Sequence, residues 1–157
     1  MEAPVLVWTD DFATGHKGLD EEHRALVAAI NDINAAERTL QSTETITALA
    51  RRLKTLAERH YQHENLILHT INSSPLPKKG ERQAILKAMV DASLSDHLAS
   101  HGRSLARLND IIRDIRSALR PAEQNVSLEL AAWFVAHVNN HDIHLKEVFK
   151  VVQIGTL

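Results

Sequence analysis

Histidine is the commonest metal ligand among the side chains, and ten of the 157 residues of this chain are histidine. Their spacing says more than their number. His60 and Glu64 stand one helical turn apart, as do His97 and His101, while His137 is followed by His141 and Asp142. On a helix such pairs point two ligand atoms the same way, so they can meet one ion. Imidazole with carboxylate suits iron, zinc, copper or nickel. The absence of cysteine weakens a structural zinc site and rules out disulfides and thiol catalysis.

Helices would position groups at this spacing, and the chain is patterned for helices. Residues Val5 to Lys17 lack a period and contain Gly15, so they read as an N-terminal arm. Asp20 is expected to cap a first helix from about Glu21 to Arg38, with Leu26, Val27, Ile30 and Ile33 facing inward. Thr43 and Glu44 open a second, with a stripe of Ile46, Leu49, Leu53, Leu56, Ile67, Leu68 and Ile71. It should stop near Asn72, before Pro75 and Pro77. A third periodic stretch runs from about Glu81 to Leu119, through Ile85, Leu86, Met89, Val90, Leu94, Leu105, Leu108, Ile112 and Ile115. Ser127 or Asn125 caps a fourth, which turns Leu130, Trp133, Phe134, Leu145, Val148 and Phe149 inward. No strand-like alternation of useful length occurs. The expected fold is all-α: one domain over residues 1–157, an antiparallel up-down four-helix bundle with an N-terminal arm. Residues 78–95 would lengthen the third helix or form an extra helix before it, as a longer surface lobe or, alternatively, as a partner or dimer surface.

The candidate ligands interrupt these apolar stripes. His23 continues the line of Leu26 and Ile30, His60 and Glu64 fill the gap between Leu56 and Leu68, His97 and His101 extend the line of Leu94, and His137 follows Phe134. Burying so many polar groups unpaired would cost several kcal/mol, and a shared metal centre satisfies them together. Five imidazoles with two carboxylates are too many for one ion. With bridging carboxylates and a bridging oxide or hydroxide, they fill all but one position of two octahedral ions. The second carboxylate is contested. On an ideal helix His141 lies nearly in line with His137, whereas Asp142 lies about 140° away. Spacing favours His141. The need for a bridging anion favours Asp142, which a local π-bulge would swing inward.

The remaining composition is ordinary. Hydrophobic residues make up 44% and the net charge is −2, which gives no basic surface for nucleic acid. The opening MEAPVLVWTD does not read as a signal peptide, and no apolar run reaches the ~18 residues of a membrane span. The protein is expected to be cytoplasmic, without membrane partners.

Four motifs, Leu19-Asp20-Glu21-Glu22-His23, His60-Tyr61-Gln62-His63-Glu64, His97 to His101, and Trp133 to His137 with Asp142, resemble the bacterial hemerythrins. That family carries DxxH, HFxxE, HxxxH and WLxxHxxxxD on successive helices. The resemblance spans nearly the whole chain, including an arm with Trp8 and Phe12. It implies that His97, His101 and His137 bind one iron, that His23 and His60 bind a second with the open position, and that Glu64 and Asp142 bridge them under an oxo or hydroxo group. It also implies reversible O₂ binding rather than enzymatic turnover, with azide or similar anions binding the oxidised centre. Leu26, Ile30 and Leu105 are candidates for an apolar O₂ pocket. A di-iron enzyme acting on peroxide or nitric oxide is the competing reading, and so is a sensory module with a separate partner. The ferritin-like Glu-x-x-His pair is absent from the sequence, which disfavours an oxidase of that kind. The chain departs from the family at Asn65, where Glu is usual, at Leu68, where Met is common, and in about twenty extra residues between Glu64 and His97. His16, His63, His69, His141 and His144 match no ligand position, although the arm could carry His16 over the open iron.

Overall fold

The computed structural model describes the backbone of residues 3–73, 81–117 and 125–152; the side chains of residues 72, 81–94 and 150–152 lie outside that description. Helices α1 (Lys17–Arg38), α2 (Thr43–Ser73), α3 (Glu81–Arg116), α4 (Val126–His137) and α5 (Ile143–Val152) form a bundle, with no strand among the described residues. A π-helical turn, Val138–Asp142, joins α4 to α5, and the backbone stays right-handed helical through both junctions. These three segments therefore make one fourth rod. α2 packs against both α1 and α3, and the fourth rod packs against α1 and, more lightly, α3. α3 runs as one helix from Glu81. Of residues 78–95, which were expected to lengthen the third helix or form an extra one, 81–95 are the start of α3, and 78–80 lie outside the described residues.

Helix ends follow local chemistry, with one departure from expectation. His16, not Asp20, caps α1: its Nδ1 accepts from the Leu19 amide at 3.3 Å. Asp20 sits inside the first turn, where its carboxylate accepts from the amide (2.6 Å) and hydroxyl (2.8 Å) of Thr14. The arm, turning at Gly15 with φ +88°, delivers His16 to the cap and frees Asp20 to tether it. At its other end α1 closes with Gln41 N–H to Ala36 C=O and Leu40 N–H to Glu37 C=O. That is a Schellman turn with Leu40, at φ 53°, where glycine is usual. Ser42 accepts from the Thr45 amide to begin α2. Of the two candidates for α4, Asn125 is the cap. Glu37 adds a second one from the end of α1, accepting from the Val126 and Ser127 amides at 2.6 and 3.0 Å. A carboxylate suits that place, because a helix N-terminus carries partial positive charge.

The core has two apolar parts. The larger joins Leu26, Ile30, Ile33, Leu53, Leu108, Ile111, Leu130 and Phe134, with Leu6 and Phe12 from the arm. The smaller joins Leu19, Leu68, Ile71, Leu145, Val148 and Phe149. Along α1 His23 falls between Leu19 and Leu26, and along α2 Glu64 falls between Tyr61 and Leu68. A polar layer is thus enclosed between two apolar ones. The arm covers it from outside: Leu6 and Asn31 exchange two hydrogen bonds, Phe12 meets Phe134 edge-on, and the Arg24 guanidinium lies over Trp8.

Candidate metal centre

Helices α1 to α4 and the π-helical turn each present at least one polar side chain to this layer. His23, His60, Glu64, His97, His101, His137 and Asp142 are all buried, and His23, His60 and Glu64 are 0% exposed. The candidate ligands converge on one region. His23, His60, Glu64 and Asp142 bring one ligand atom each within a single ion's reach, and so do Glu64, His97 and His101. His137 Nε2 joins through Asp142 Oδ1 at 3.2 Å and Glu64 Oε2 at 4.0 Å.

The two carboxylates divide their oxygens between two sets of imidazoles. Glu64 Oε1 faces His60 (3.3 Å), whereas Oε2 faces His101 (2.9 Å) and His97 (3.4 Å). Asp142 Oδ2 faces His23 (3.0 Å), whereas Oδ1 faces His137 (3.2 Å) and His97 (3.7 Å). His23 and His60 lie together, their Nε2 atoms 3.1 Å apart. One oxygen of each carboxylate thus belongs with His23 and His60, and the other with His97, His101 and His137.

The contest between His141 and Asp142 has a local answer. The π-helical turn inserts one residue into the register after His137, and Asp142 consequently swings inward to 2% exposure. His141 is left at the rim, half-buried, its ring 5.6 Å from that of His137 and 5.9 Å from that of His97.

Several partners of these side chains carried no ligand spacing in the sequence. His23 Nδ1 lies 2.7 Å from the Phe12 carbonyl oxygen, which can only accept, so this nitrogen carries the proton and Nε2 offers a lone pair inward. Glu22 holds His60 Nδ1 with one oxygen and His63 Nδ1 with the other, both at 3.0 Å. That again aims Nε2 into the layer, as outer partners of metal-binding imidazoles do, and a bound ion would take the place of the proton that the charged His60 carries there. Tyr61 stacks on His101 with ring centroids 4.0 Å apart and planes at 10°. Its hydroxyl shares a hydrogen bond with Ser104 at 2.7 Å, and Ser104 Oγ accepts from Trp133 Nε1 at 2.6 Å. Of the other histidines, His16 caps α1, His63 binds Glu22, and His69 and His144 are exposed. The arm thus brings His16 against His63 rather than onto the ligand set.

Electrostatics agree with the geometry. Burial alone would raise the Glu64 carboxyl, yet the charge of His60 and contacts with His101, His60 and His97 hold it well below the usual value. Burial and Glu64 also push Asp142 up, but His137 and His23 bring it below its usual value. Burial disfavours a charged His60, and Glu64, Glu22 and Asp142 outweigh that and raise it to about 10. His101, where burial dominates, is lowered.

A metal is the missing partner. Both oxygens of Glu64 and of Asp142, and the Nε2 atoms of His97, His101 and His137, are buried without a hydrogen bond. Native interiors rarely leave such atoms unsatisfied. Imidazole nitrogens and carboxylate oxygens, converging without thiolate, fit hard-to-borderline divalent metal ions. In comparisons with known proteins, residues 14–148 match the model of the hemerythrin HHE cation-binding domain. Neither the curated proteins nor the solved structures gave a match.

Proposed function

The chain belongs to the hemerythrin HHE cation-binding family, and from that premise we propose that it holds two iron ions and binds O₂ reversibly, as a binding protein rather than an enzyme. The observation that carries the reading is the division of the Glu64 and Asp142 oxygens between two imidazole sets. His97, His101 and His137 would hold one iron, His23 and His60 the other, and both carboxylates would bridge. The set with two imidazoles is one ligand short, which leaves a position for a small molecule. Such an iron pair supplies the two electrons that O₂ takes on binding and returns on release.

The chain's part is to position and to exclude water. The Phe12 carbonyl and Glu22 fix the ring faces of His23 and His60. Tyr61 restrains His101 by stacking. Leu26 and Ile30 are buried in the large apolar cluster, which also contains Phe134, whose ring meets that of His23 at 5.6 Å. We assign Leu26, Ile30 and the half-buried Leu105 to the wall of the O₂ pocket, where apolar side chains keep water and protons from the bound ligand. Five imidazoles against two carboxylates also favour low oxidation states of iron over those that attack organic substrates. No described helix is long and apolar enough to cross a membrane, and we place the protein in the cytoplasm.

Metal analysis of protein produced with adequate iron tests the assignment. Two irons per chain, with azide binding the oxidised centre and no loss of iron, is the expected result. One metal per chain, or zinc alone, would contradict it.

A further inference from the structure

A cleft of about 350 Å³ opens between the arm and the fourth rod. Phe12 and Ala13 form one wall, and Asn139, Ile143 and Lys146 the other. Asp142, 2% exposed, also lines it. The arm is tied on both sides of this wall, by Leu6 to Asn31 and by Thr14 to Asp20, so the cleft is a standing feature of the surface. Asp142 Oδ2 faces His23 at 3.0 Å, so a residue that lines the cleft also belongs to the imidazole set that is one ligand short.

We propose that this cleft is the port through which ferrous ions load and small ligands, O₂ and compact anions, come and go. Its volume admits several water-sized solutes but no large substrate. The inference rests on the di-metal reading and not on reversible O₂ binding. The apolar clusters seal the layer above and below, whereas here the wall is a turn of backbone and a few side chains. Lys146 stands at the rim with Asp11 and Glu147, so charge at the mouth should act oppositely on cations and anions.

Two variants test this, Asn139→Phe, which fills the cleft, and Lys146→Glu, which reverses one charge at its rim. Leu128→Phe, at an exposed position in the first turn of α4, is the control. Stopped-flow would time ferrous-ion uptake by metal-free protein and azide association with the iron-loaded, oxidised protein. A blocked passage slows arrival and departure equally. Asn139→Phe should therefore slow both associations about 10-fold or more, while azide affinity stays within about twofold of the parent. Lys146→Glu should slow azide and quicken ferrous ion, with both effects fading at about 1 M salt. If Asn139→Phe loads two irons and both rates match the control, the port is elsewhere. If Asn139→Phe does not fold, Lys146→Glu decides: rates that ignore the charge reversal overturn the proposal. A parent protein that takes up no metal refutes instead the di-metal reading.

Discussion

Removing the metal should cost this protein a large share of its stability, and the structure sets the scale. Glu64 Oε1 and Oε2, Asp142 Oδ1 and Oδ2, and Nε2 of His97, His101 and His137 are buried with no hydrogen-bond partner. A buried polar atom left unsatisfied costs ~1–3 kcal/mol. Attraction between the close carboxylate and imidazole groups recovers part of that, so the low end is the appropriate figure. At ~1 kcal/mol per atom the set costs about 7 kcal/mol, against the ~5–15 kcal/mol that stabilises a typical domain. For a chain of this size each kcal/mol shifts the melting temperature by roughly 2–4 °C. Water entering the layer would lessen the effect, yet a fall of at least about 10 °C should remain. The assay is differential scanning calorimetry of iron-loaded protein and of the same preparation reduced and stripped with a chelator, with circular dichroism to follow helix content. The two apolar clusters on either side of the layer should hold the helices together in the cold, so helix content should change little at about 10 °C. Melting temperatures within about 2 °C of each other would refute the reasoning, because the buried polar atoms would then have found other partners.

Three further outcomes follow from particular residues. Asp142→Ala should disrupt the di-iron spectrum and lower iron content, while His141→Ala, at the rim, should leave both nearly unchanged; the reverse pattern would mean that the π-helical turn does not set the ligand. Leu40→Gly should stabilise the protein by ~0.5–1 kcal/mol in urea unfolding, because a left-handed backbone strains leucine and its side chain, 91% exposed, buries nothing; a loss of stability would contradict the Schellman assignment. Glu64 and Asp142 are both held below their ordinary values of 4.5 and 3.8, so their contribution is whole above about pH 4.5 and lost as pH falls through the folded values. The urea midpoint of metal-free protein should therefore fall from about pH 6 to about pH 3, and a flat profile would contradict the charge pattern.

Much of the site was legible because ligand and core positions obey the same period. His23, His60, Glu64, His97, His101 and His137 occupy phases where leucine or isoleucine would otherwise stand, and all of them are buried. Asp142 was legible through the family pattern and the need for a bridging anion, since ideal helix geometry pointed to His141 and the π-helical turn reverses that choice. Glu22 was hidden because it neighbours a ligand in sequence but serves the imidazole of the next helix. Nothing in the sequence could point to the Phe12 carbonyl, a backbone atom brought to His23 by the path of the arm. The same path explains why His16 and not Asp20 caps α1. The end of α2 near Ser73 was readable from the prolines that follow it, whereas no glycine marks the end of α1, where Leu40 takes the left-handed position.

Reversible oxygenation is the claim on which the functional reading depends, and cycling the gas over one sample measures it most directly. Reduced, iron-loaded protein should be nearly colourless. Air should produce a visible ligand-to-iron charge-transfer band, argon should abolish it, and air should restore it over several cycles at constant iron content. A band that forms once and never bleaches under argon, or O₂ consumed afresh in every cycle, would contradict reversible binding and point to an oxidative enzyme.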